Sequence, residues 1–330
     1  MKQLIAMLTL LMILLPFSAH AQEITGYTTL TPDSVEIYYE TQGEGMPIMI
    51  IAGGPGGNPN FYRYTHSDWL EYGRLVYVHN RGRGRSENLD HLKDAYSVEK
   101  DVLDIEAVRQ SLGAERIIVY GHSYGGTPAL MYALKYPRHC HAVITSCTHS
   151  GRDSFQKYNI DGMKYFLQRQ FPEQWAVFDS LHSAGLATSD SLFEKVWPDI
   201  SEMYYYDPDN ASIMDSIWKL SSDSLSVGFN YMVYLAIVGP DPEWSVEGTL
   251  RDVELVPQLN KVECPALIVS GRYDRVCPPI VQKEIADALP NGKLVMFEKS
   301  GHRPFIEQKN RFFEISGEFL DSVINKTGGE

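Results

Sequence analysis

One stretch decides how this chain folds: Arg116-Ile117-Ile118-Val119-Tyr120-Gly121-His122-Ser123-Tyr124-Gly125. Its apolar, β-branched first half is typical of a buried strand, and a helix-compatible segment, 127–136, follows it. A Gly-x-Ser-x-Gly pattern between a strand and a helix predicts a tight, strained turn that holds the serine hydroxyl at the end of the strand. The same pattern also occurs by chance in loops, and the motifs in the rest of the chain distinguish between the two interpretations.

The composition indicates a globular protein. The chain has 330 residues, of which 44% are hydrophobic and 22% charged, enough for one large domain or a domain with an insertion. The formal net charge is −13 and there is no basic block, which argues against nucleic acid and anionic membranes as partners. The oligomeric state is left open by the sequence.

The first residues predict a secretory signal peptide. Lys2 precedes an apolar stretch, 4–17, and Ala19-His20-Ala21 follows before Gln22. A short positive region, an apolar core and an Ala-x-Ala site are typical of a signal that is cleaved on export. The apolar stretch is short for a membrane span, although an uncleaved anchor is the alternative. We therefore expect residues 1–21 to be removed and the mature protein to be periplasmic or secreted, without membrane attachment.

Strands and helices alternate over most of the chain, which predicts a mostly parallel sheet with helices on both faces. Helices are predicted after an N-cap at Ser97 and over 127–136, 279–289 and 310–324. The predicted strands are 34–40, 47–52, 75–79, 116–120, 142–146, 265–270 and 293–297.

The segment 151–247 has a different character. It has no short β-branched runs and contains four of the five tryptophans. We expect an inserted helical cap here, placed over the strand ends where open α/β sheets bind ligands. The sheet domain would then be formed by 22–150 and 248–330.

Two loops after predicted strands are rich in glycine. In Ala52-Gly53-Gly54-Pro55-Gly56-Gly57, the functional interpretation is that a backbone N–H faces a reacting carbonyl group; a simple turn is the alternative. We predict Gly54 as one such donor and the N–H of Tyr124 as the second. The loop Asn80-Arg81-Gly82-Arg83-Gly84-Arg85-Ser86 could bind an anion, but a turn braced by arginine bonds is favoured.

Ser123, Asp274 and His302 each follow a predicted parallel strand, so we expect them at the same edge of the sheet. A histidine with a pKa near neutrality can take the serine proton and return it to a leaving group. An aspartate can fix the histidine tautomer and stabilise its charged form. The chain order serine, acid, histidine is that of the α/β-hydrolase fold, and these three are the predicted catalytic residues.

Other polar residues fit that role less well. His122 neighbours the nucleophile and points away from it, so we interpret it as support for the turn. Asp241 and Asp252 follow no predicted strand and are weaker candidates for the acid.

Over nearly all its mature length the chain resembles the proline iminopeptidase branch of the α/β-hydrolases. The residues that carry the resemblance include Gly53-Gly54-Pro55-Gly56, the arginine–glycine loop, Gly271-Arg272-Tyr273-Asp274 and Ser300-Gly301-His302. The chain departs from the family at Ala52, where members usually have histidine, and at Asn80, where they usually have aspartate.

The resemblance implies a serine aminopeptidase that needs no metal or organic cofactor. Family members hold the substrate's free amino terminus with acids of the cap. Here Glu243 matches that position best, and Glu202 is a looser candidate for a second substrate-binding acid. We expect a short peptide as substrate, with N-terminal proline favoured. The alternatives are a small-molecule carboxylesterase or lactonase on the same fold, and a binding protein that has lost catalysis.

The four cysteines are Cys140, Cys147, Cys264 and Cys277. Cys140 and Cys264 each precede a predicted strand and could pair if those strands are neighbours; free buried thiols are the alternative. The tract His139-Cys140-His141 resembles a metal-binding tract, but no second ligand cluster lies nearby, so we expect no metal site.

Overall fold

The computed structural model describes residues 23–325, except 91–93, 190, 192–197, 223–225 and 227. The predicted signal peptide, 1–21, lies outside the described residues. Within the described ranges, no helix combines the length and the apolar character that crossing a bilayer requires.

In the described part of the chain, one sheet of eight strands forms the centre, in the order β1-β2-β4-β3-β5-β6-β7-β8. β2 pairs antiparallel with β1 and β4, and all other neighbours are parallel. This confirms the predicted mostly parallel sheet. The strands are β1 Thr25–Leu30, β2 Glu36–Gln42, β3 Pro47–Ile51, β4 Arg74–Val78, β5 Ile117–His122, β6 Cys140–Ser146, β7 Ala266–Gly271 and β8 Gly292–Phe297.

Helices cover both faces of the sheet. Alternate residues of its buried strands point to opposite sides, so each face has its own apolar core. Met49 and Ile51 belong to one core cluster, which includes buried residues of α2, α3 and α10. Ile48 and Ile50 belong to the other, which includes buried residues of α12. The helices are α1 Tyr62–Thr65, α2 Val98–Ser111, α3 Gly126–Lys135, α4 Arg152–Ser154, α5 Asp161–Gln170, α6 Pro172–Ser183, α7 Ser201–Tyr204, α8 Ala211–Ser221, α9 Tyr231–Val238, α10 Pro279–Ala288, α11 Pro304–Glu307 and α12 Lys309–Ile324.

Local sequence signals account for the helix bounds in the sheet domain. Ser97 caps α2 as predicted, because its side chain accepts a hydrogen bond from the Lys100 N–H. Gly113, with a φ of 63°, lies just beyond the end of this helix, where a left-handed residue favours glycine. Strand β1 was not predicted. It is an edge strand whose residues are almost all exposed, so it lacks the apolar alternation that signals a strand.

The described residues of 151–247 form helices and loops, with one isolated β-bridge between Gly151 and Glu254. This segment contacts loops that follow the strands of the sheet. The His302 N–H donates to the Tyr204 carbonyl at 2.6 Å, and the Asn230 N–H donates to the Gly56 carbonyl at 2.9 Å. The segment therefore forms one wall of the space above the strand ends.

All four cysteines are buried free thiols. Cys140 begins β6 and Cys264 lies just before β7, and these two strands are neighbours. Their sulfur atoms are 3.6 Å apart. The two thiols thus lie close together at the start of neighbouring strands, but they are not bonded to each other in this structure.

Candidate active site

Ser123 occupies a strained turn between β5 and α3. Its φ is 55°, in the left-handed region that side-chain-bearing residues rarely adopt. The turn is possible because its two glycines admit the neighbouring backbone. A Cβ at Gly121 would lie 2.1 Å from the Gly125 carbonyl oxygen, and a Cβ at Gly125 would lie 2.3 Å from the Ile51 carbonyl oxygen. The Gly-x-Ser-x-Gly pattern is therefore a steric requirement of this turn.

Asp274 and His302 meet at the same edge of the sheet, after β7 and β8. Asp274 Oδ2 is 2.9 Å from His302 Nδ1, and each residue is only 2% exposed. Asp274 Oδ1 accepts two further bonds, from the Val276 and Cys277 N–H groups at 2.8 Å each. The carboxylate is thus held from both sides, and it fixes the imidazole with Nδ1 toward the acid.

Ser123 and His302 line one cavity of about 1120 Å³ between the sheet domain and the segment 151–247. Gly54 and Tyr124, the two predicted backbone donors, line it beside Ser123. The structure therefore brings together the three predicted catalytic residues and both predicted oxyanion donors. The aromatic lining comes largely from the opposite wall: Phe155, Tyr204, Tyr205, Trp218, Phe229, Tyr231 and Tyr234.

His122 joins three loops of the site through a relay of hydrogen bonds. Burial lowers its pKa well below the usual value, so the ring is neutral. Its Nε2 lies 2.9 Å from the His302 carbonyl and must donate; Nδ1 therefore accepts from the Tyr62 hydroxyl at 3.1 Å. That hydroxyl in turn accepts from the Gly53 N–H at 3.4 Å. The supporting role predicted for His122 agrees with these contacts, and the Gly53 N–H is engaged within the protein.

The arginine–glycine loop braces the glycine-rich loop and the turn at Ser123. The Arg83 guanidinium donates to the Pro55 carbonyl and forms two bonds with Asp101, at 2.6 and 3.0 Å. Asp101 also accepts from the Tyr124 hydroxyl at 2.7 Å. Arg81 is neutralised in the same manner by Asp104, at 2.7 Å. These contacts agree with the favoured interpretation of the loop as a braced turn.

Glu243 lies in the cavity wall opposite the sheet. Its Oε1 accepts from the Tyr234 hydroxyl at 2.9 Å, whereas Oε2 is inaccessible to solvent and has no partner among the described residues. Burial raises the pKa of this carboxyl group above its ordinary value. A buried acceptor normally has a hydrogen-bond partner, and a ligand donor would supply one if the surrounding side chains moved to expose this oxygen.

The second predicted acid, Glu202, does not lie in this lining. Its side chain is 60% exposed, and its carboxylate is 3.6 Å from the Arg275 guanidinium. Glu202 is the second residue of a single-turn helix, α7, whose buried residue is Met203, and the acid faces solvent. Its position gives no support for a role in holding substrate. The weaker acid candidates are also elsewhere: Asp241 bonds His182 and Thr188 within the 151–247 segment, and Asp252 is 77% exposed.

The cavity also contains residues that the sequence did not single out. His149 is 2% exposed, and neither of its ring nitrogens has a partner among the described residues. Burial lowers its pKa to about 3, so it is neutral. Arg303, the residue after His302, lies over the rings of Tyr204, Tyr205 and Trp218, with its Cζ 5.0–5.5 Å from their centres. The feature of the sequence that could have indicated Arg303 is its position directly after His302.

Among the described residues, one group has potential metal ligands close together: Cys147, Asp274 and His302, with ligand atoms within 4.8 Å of one another. Asp274 and His302 already bond each other, and the second Asp274 oxygen is filled by backbone N–H groups. The donor set is thus engaged internally. The tract His139-Cys140-His141 forms no such group within the described part of the chain.

Comparison with known proteins agrees with this architecture. Residues 46–309 match the family model described as alpha/beta hydrolase fold. The chain is 29% identical to a proline iminopeptidase of Saccharolobus solfataricus over 88% of this chain and 91% of the relative. It is 26% identical to one of Clostridioides difficile over 86% and 94% of the two chains.

Among solved structures, the proline iminopeptidase of Mycobacterium smegmatis superposes with a TM-score of 0.71. The two proteins are 20% identical, and the match covers 92% of this chain and all of that one, 100%. At this identity the superposition speaks for the fold alone. Together with the family match over most of the sequence, these similarities show that the chain belongs to the α/β-hydrolase fold family, in its proline iminopeptidase-like branch.

Proposed function

We propose that this protein is a serine hydrolase that releases the N-terminal residue, with proline favoured, from short peptides through an acyl-enzyme. The observation that carries the aminopeptidase assignment is that Glu243 lines the same cavity as Ser123 and His302 and has a carboxylate oxygen without a partner among the described residues. The proline iminopeptidases among its relatives support the same class of substrate.

In this proposal, Ser123 Oγ attacks the carbonyl carbon of the first peptide bond while His302 Nε2 takes the hydroxyl proton. The N–H groups of Gly54 and Tyr124 stabilise the oxyanion. The C–N bond then breaks, and His302 returns the proton to the leaving amine. A water molecule releases the acyl group from Ser123 by the same steps, and Asp274 holds the imidazole throughout.

Recognition of the amino terminus follows from the charge and surroundings of Glu243. A substrate ammonium group would enter a partly dry, aromatic space, where it needs an opposite charge to replace its hydration. Oε2, which has no partner among the described residues, would act as the acceptor, and Phe229 and Tyr231 line the same cavity. An N-acylated substrate lacks the positive charge and would leave Glu243 unpaired.

The test is release kinetics on prolyl, alanyl and leucyl arylamides, their N-acetylated forms and a short-chain ester, with Ser123→Ala as the control. We expect prolyl arylamide to be cleaved, the acetylated form to be refused, and all activity to disappear in Ser123→Ala. Cleavage of the ester without cleavage of any arylamide would refute the aminopeptidase proposal and favour the esterase or lactonase. Failure of a fluorophosphonate probe to label Ser123 would favour a binding protein.

We further propose that the protein is exported and that residues 1–21 are its signal peptide. The support is the sequence pattern alone: Lys2, the apolar stretch 4–17 and Ala19-His20-Ala21. N-terminal sequencing of the protein recovered from the cell envelope or the medium should begin near Gln22. Recovery from the cytoplasm with residues 1–21 intact would refute the proposal.

A further inference from the structure

Arg303 is a cationic group in the cavity that has no ion-pair partner among the described residues. It lies in the lining with Ser123 and Glu243, and it forms no ion pair with any carboxylate of the described residues. Its polar contact is a bond from Nη1 to the Tyr205 hydroxyl. Most of the five N–H donors of the guanidinium are therefore open to a ligand.

The two arginines buried in the sheet domain differ from Arg303 in this respect. Arg81 pairs with Asp104 at 2.7 Å and Arg83 with Asp101 at 2.6 Å, so each buried positive charge is neutralised. Burial lowers the pKa of Arg303, and the nearby Tyr204, Tyr62 and Glu307 offset only part of this effect. Arg81 and Arg83 thus each form an ion pair, whereas Arg303 forms none with the carboxylates of the described residues.

The acid nearest to Arg303 along α11 is already occupied. Glu307 Oε1 accepts from the N–H groups of Tyr206 and Asp207, at 2.9 and 3.0 Å. Its Oε2 accepts from the Gly301 N–H at 2.6 Å. These bonds hold the carboxylate where it braces the loop before His302, so it is unavailable to the guanidinium.

Arg303 and Glu243 give the cavity two opposite charges, with Tyr204 within the electrostatic reach of both. Burial raises the pKa of Tyr204 to about 12, an effect that Glu243 strengthens and Arg303 weakens. The Tyr204 ring is 5.6 Å from that of His302. A ligand that satisfies both charged groups carries an ammonium group at one end and an anionic group at the other.

His302 also indicates which end of the substrate Arg303 meets. In acyl transfer the histidine delivers its proton to the leaving amine. Arg303 lies over the Tyr204 ring, which is 5.6 Å from the His302 ring, and this proximity is the basis for assigning Arg303 to the leaving-group side. A guanidinium is suited to a carboxylate, because the two planar groups can form paired hydrogen bonds.

We propose that Arg303 binds the α-carboxylate of the leaving amino acid, so that the preferred substrates are free dipeptides. This inference rests on the proposed aminopeptidase function. In the overall reaction one dipeptide and one water give two amino acids: the C–N bond breaks, the leaving amine takes its proton from His302, and water supplies the hydroxyl of the new carboxylate.

The test compares prolyl-alanine with prolyl-alaninamide, which differ in the terminal carboxylate alone. We expect the wild-type protein to prefer the free acid by about tenfold to a hundredfold in kcat/KM, the range of a hydrogen-bonded charge. Arg303→Met should bring this ratio close to one, mainly by raising KM for the acid. Arg303→Lys keeps the charge and should restore part of the preference.

Arg169→Met is the matched control, because Arg169 is an exposed arginine over the Tyr165 ring and outside the cavity lining. It should keep the wild-type ratio. Equal rates for acid and amide in the wild-type protein would overturn the inference, as would an equal loss of both in Arg303→Met. If prolyl arylamide is cleaved in those cases, the aminopeptidase proposal survives. If no arylamide and no dipeptide is cleaved, both fall together.

Discussion

Two carboxylates of the site differ in how far the protein satisfies them: Asp274 lies behind His302, whereas Glu243 lines the cavity itself. Asp274, in the sheet domain, has its oxygens filled by two backbone N–H groups and by His302. Glu243, in the segment 151–247, has one oxygen bonded to Tyr234 and the other unpartnered among the described residues. A carboxylate that orients a catalytic group works best when the protein satisfies it completely, whereas one that recognises a ligand must keep an acceptor free.

The largest expected effect concerns Asp274, the carboxylate whose hydrogen bonds are all satisfied. Asp274→Asn can keep its bonds to the N–H groups of Val276 and Cys277 through the amide oxygen, but its NH2 would face His302 Nδ1. The imidazole would then be held in the wrong tautomer. We expect kcat to fall by about 10⁴-fold with little change in Tm. A variant that retains more than a tenth of the wild-type kcat would show that Asp274 does not orient the histidine.

The next test concerns the braced turn rather than the catalytic residues. Arg83→Met leaves Asp101 buried without its ion-pair partner, so we expect a loss of about 3–5 kcal/mol in the free energy of unfolding. Urea unfolding measures it. Arg272→Met is the control, because Arg272 pairs with Glu298 on the exposed surface, and we expect a change within about 0.5 kcal/mol. A double variant Arg83→Met with Asp101→Leu should recover part of the loss; no recovery would count against the unpaired charge as the cause.

Glu243, the carboxylate with an oxygen unpartnered among the described residues, should affect binding of the substrate's amino terminus more than the acyl-transfer step. For Glu243→Gln we expect kcat/KM on prolyl arylamide to fall by about tenfold to a hundredfold, with a far smaller change on a short-chain ester. The wild-type ratio of arylamide to ester activity should fall as the pH is lowered, because Glu243 is protonated below its raised pKa and no longer attracts an ammonium group. The ratio in Glu243→Gln should not vary with pH in this way. A parallel pH dependence in both proteins would exclude Glu243 as the cause.

Glu202 gives the smallest expected effect and completes the comparison. Its carboxylate is exposed and paired with Arg275, so Glu202→Gln should leave kcat/KM on prolyl arylamide within about twofold of the wild-type value. The Tm should change little as well. A loss comparable with that of Glu243→Gln would mean that substrate closes the segment 151–247 enough to bring Glu202 inward.

The sequence was most informative where chemistry depends on local backbone geometry. Continuous apolar runs predicted the central strands, and the serine turn could be recognised because two glycines are sterically required there. Asp274 and His302 then followed from the rule that parallel strands end at one edge. The polar edge strand β1 gave no comparable signal, because exposed pairing leaves no apolar pattern.

The sequence alone did not predict which charged side chains pair with each other. Arg83 and Arg303 are both arginines beside glycine-containing loops, yet one meets Asp101 and the other meets no described carboxylate. That difference depends on which distant side chains the fold brings within bonding distance. The same limit explains why Glu202 and Glu243 were both considered as substrate-binding acids, although only Glu243 lines the cavity.

The strand order has a consequence for folding. Ser123 follows β5 near the middle of the sheet. His302 follows β8, an edge strand and the last strand in the sequence. Bringing these two residues together requires long-range parallel pairing of β6, β7 and β8, a slow kind of contact to form. A chain that stalls before β8 docks would have a nearly complete sheet and no histidine beside its serine. Return of hydrolytic activity during refolding would therefore report the completion of this edge, later than signals from the central strands.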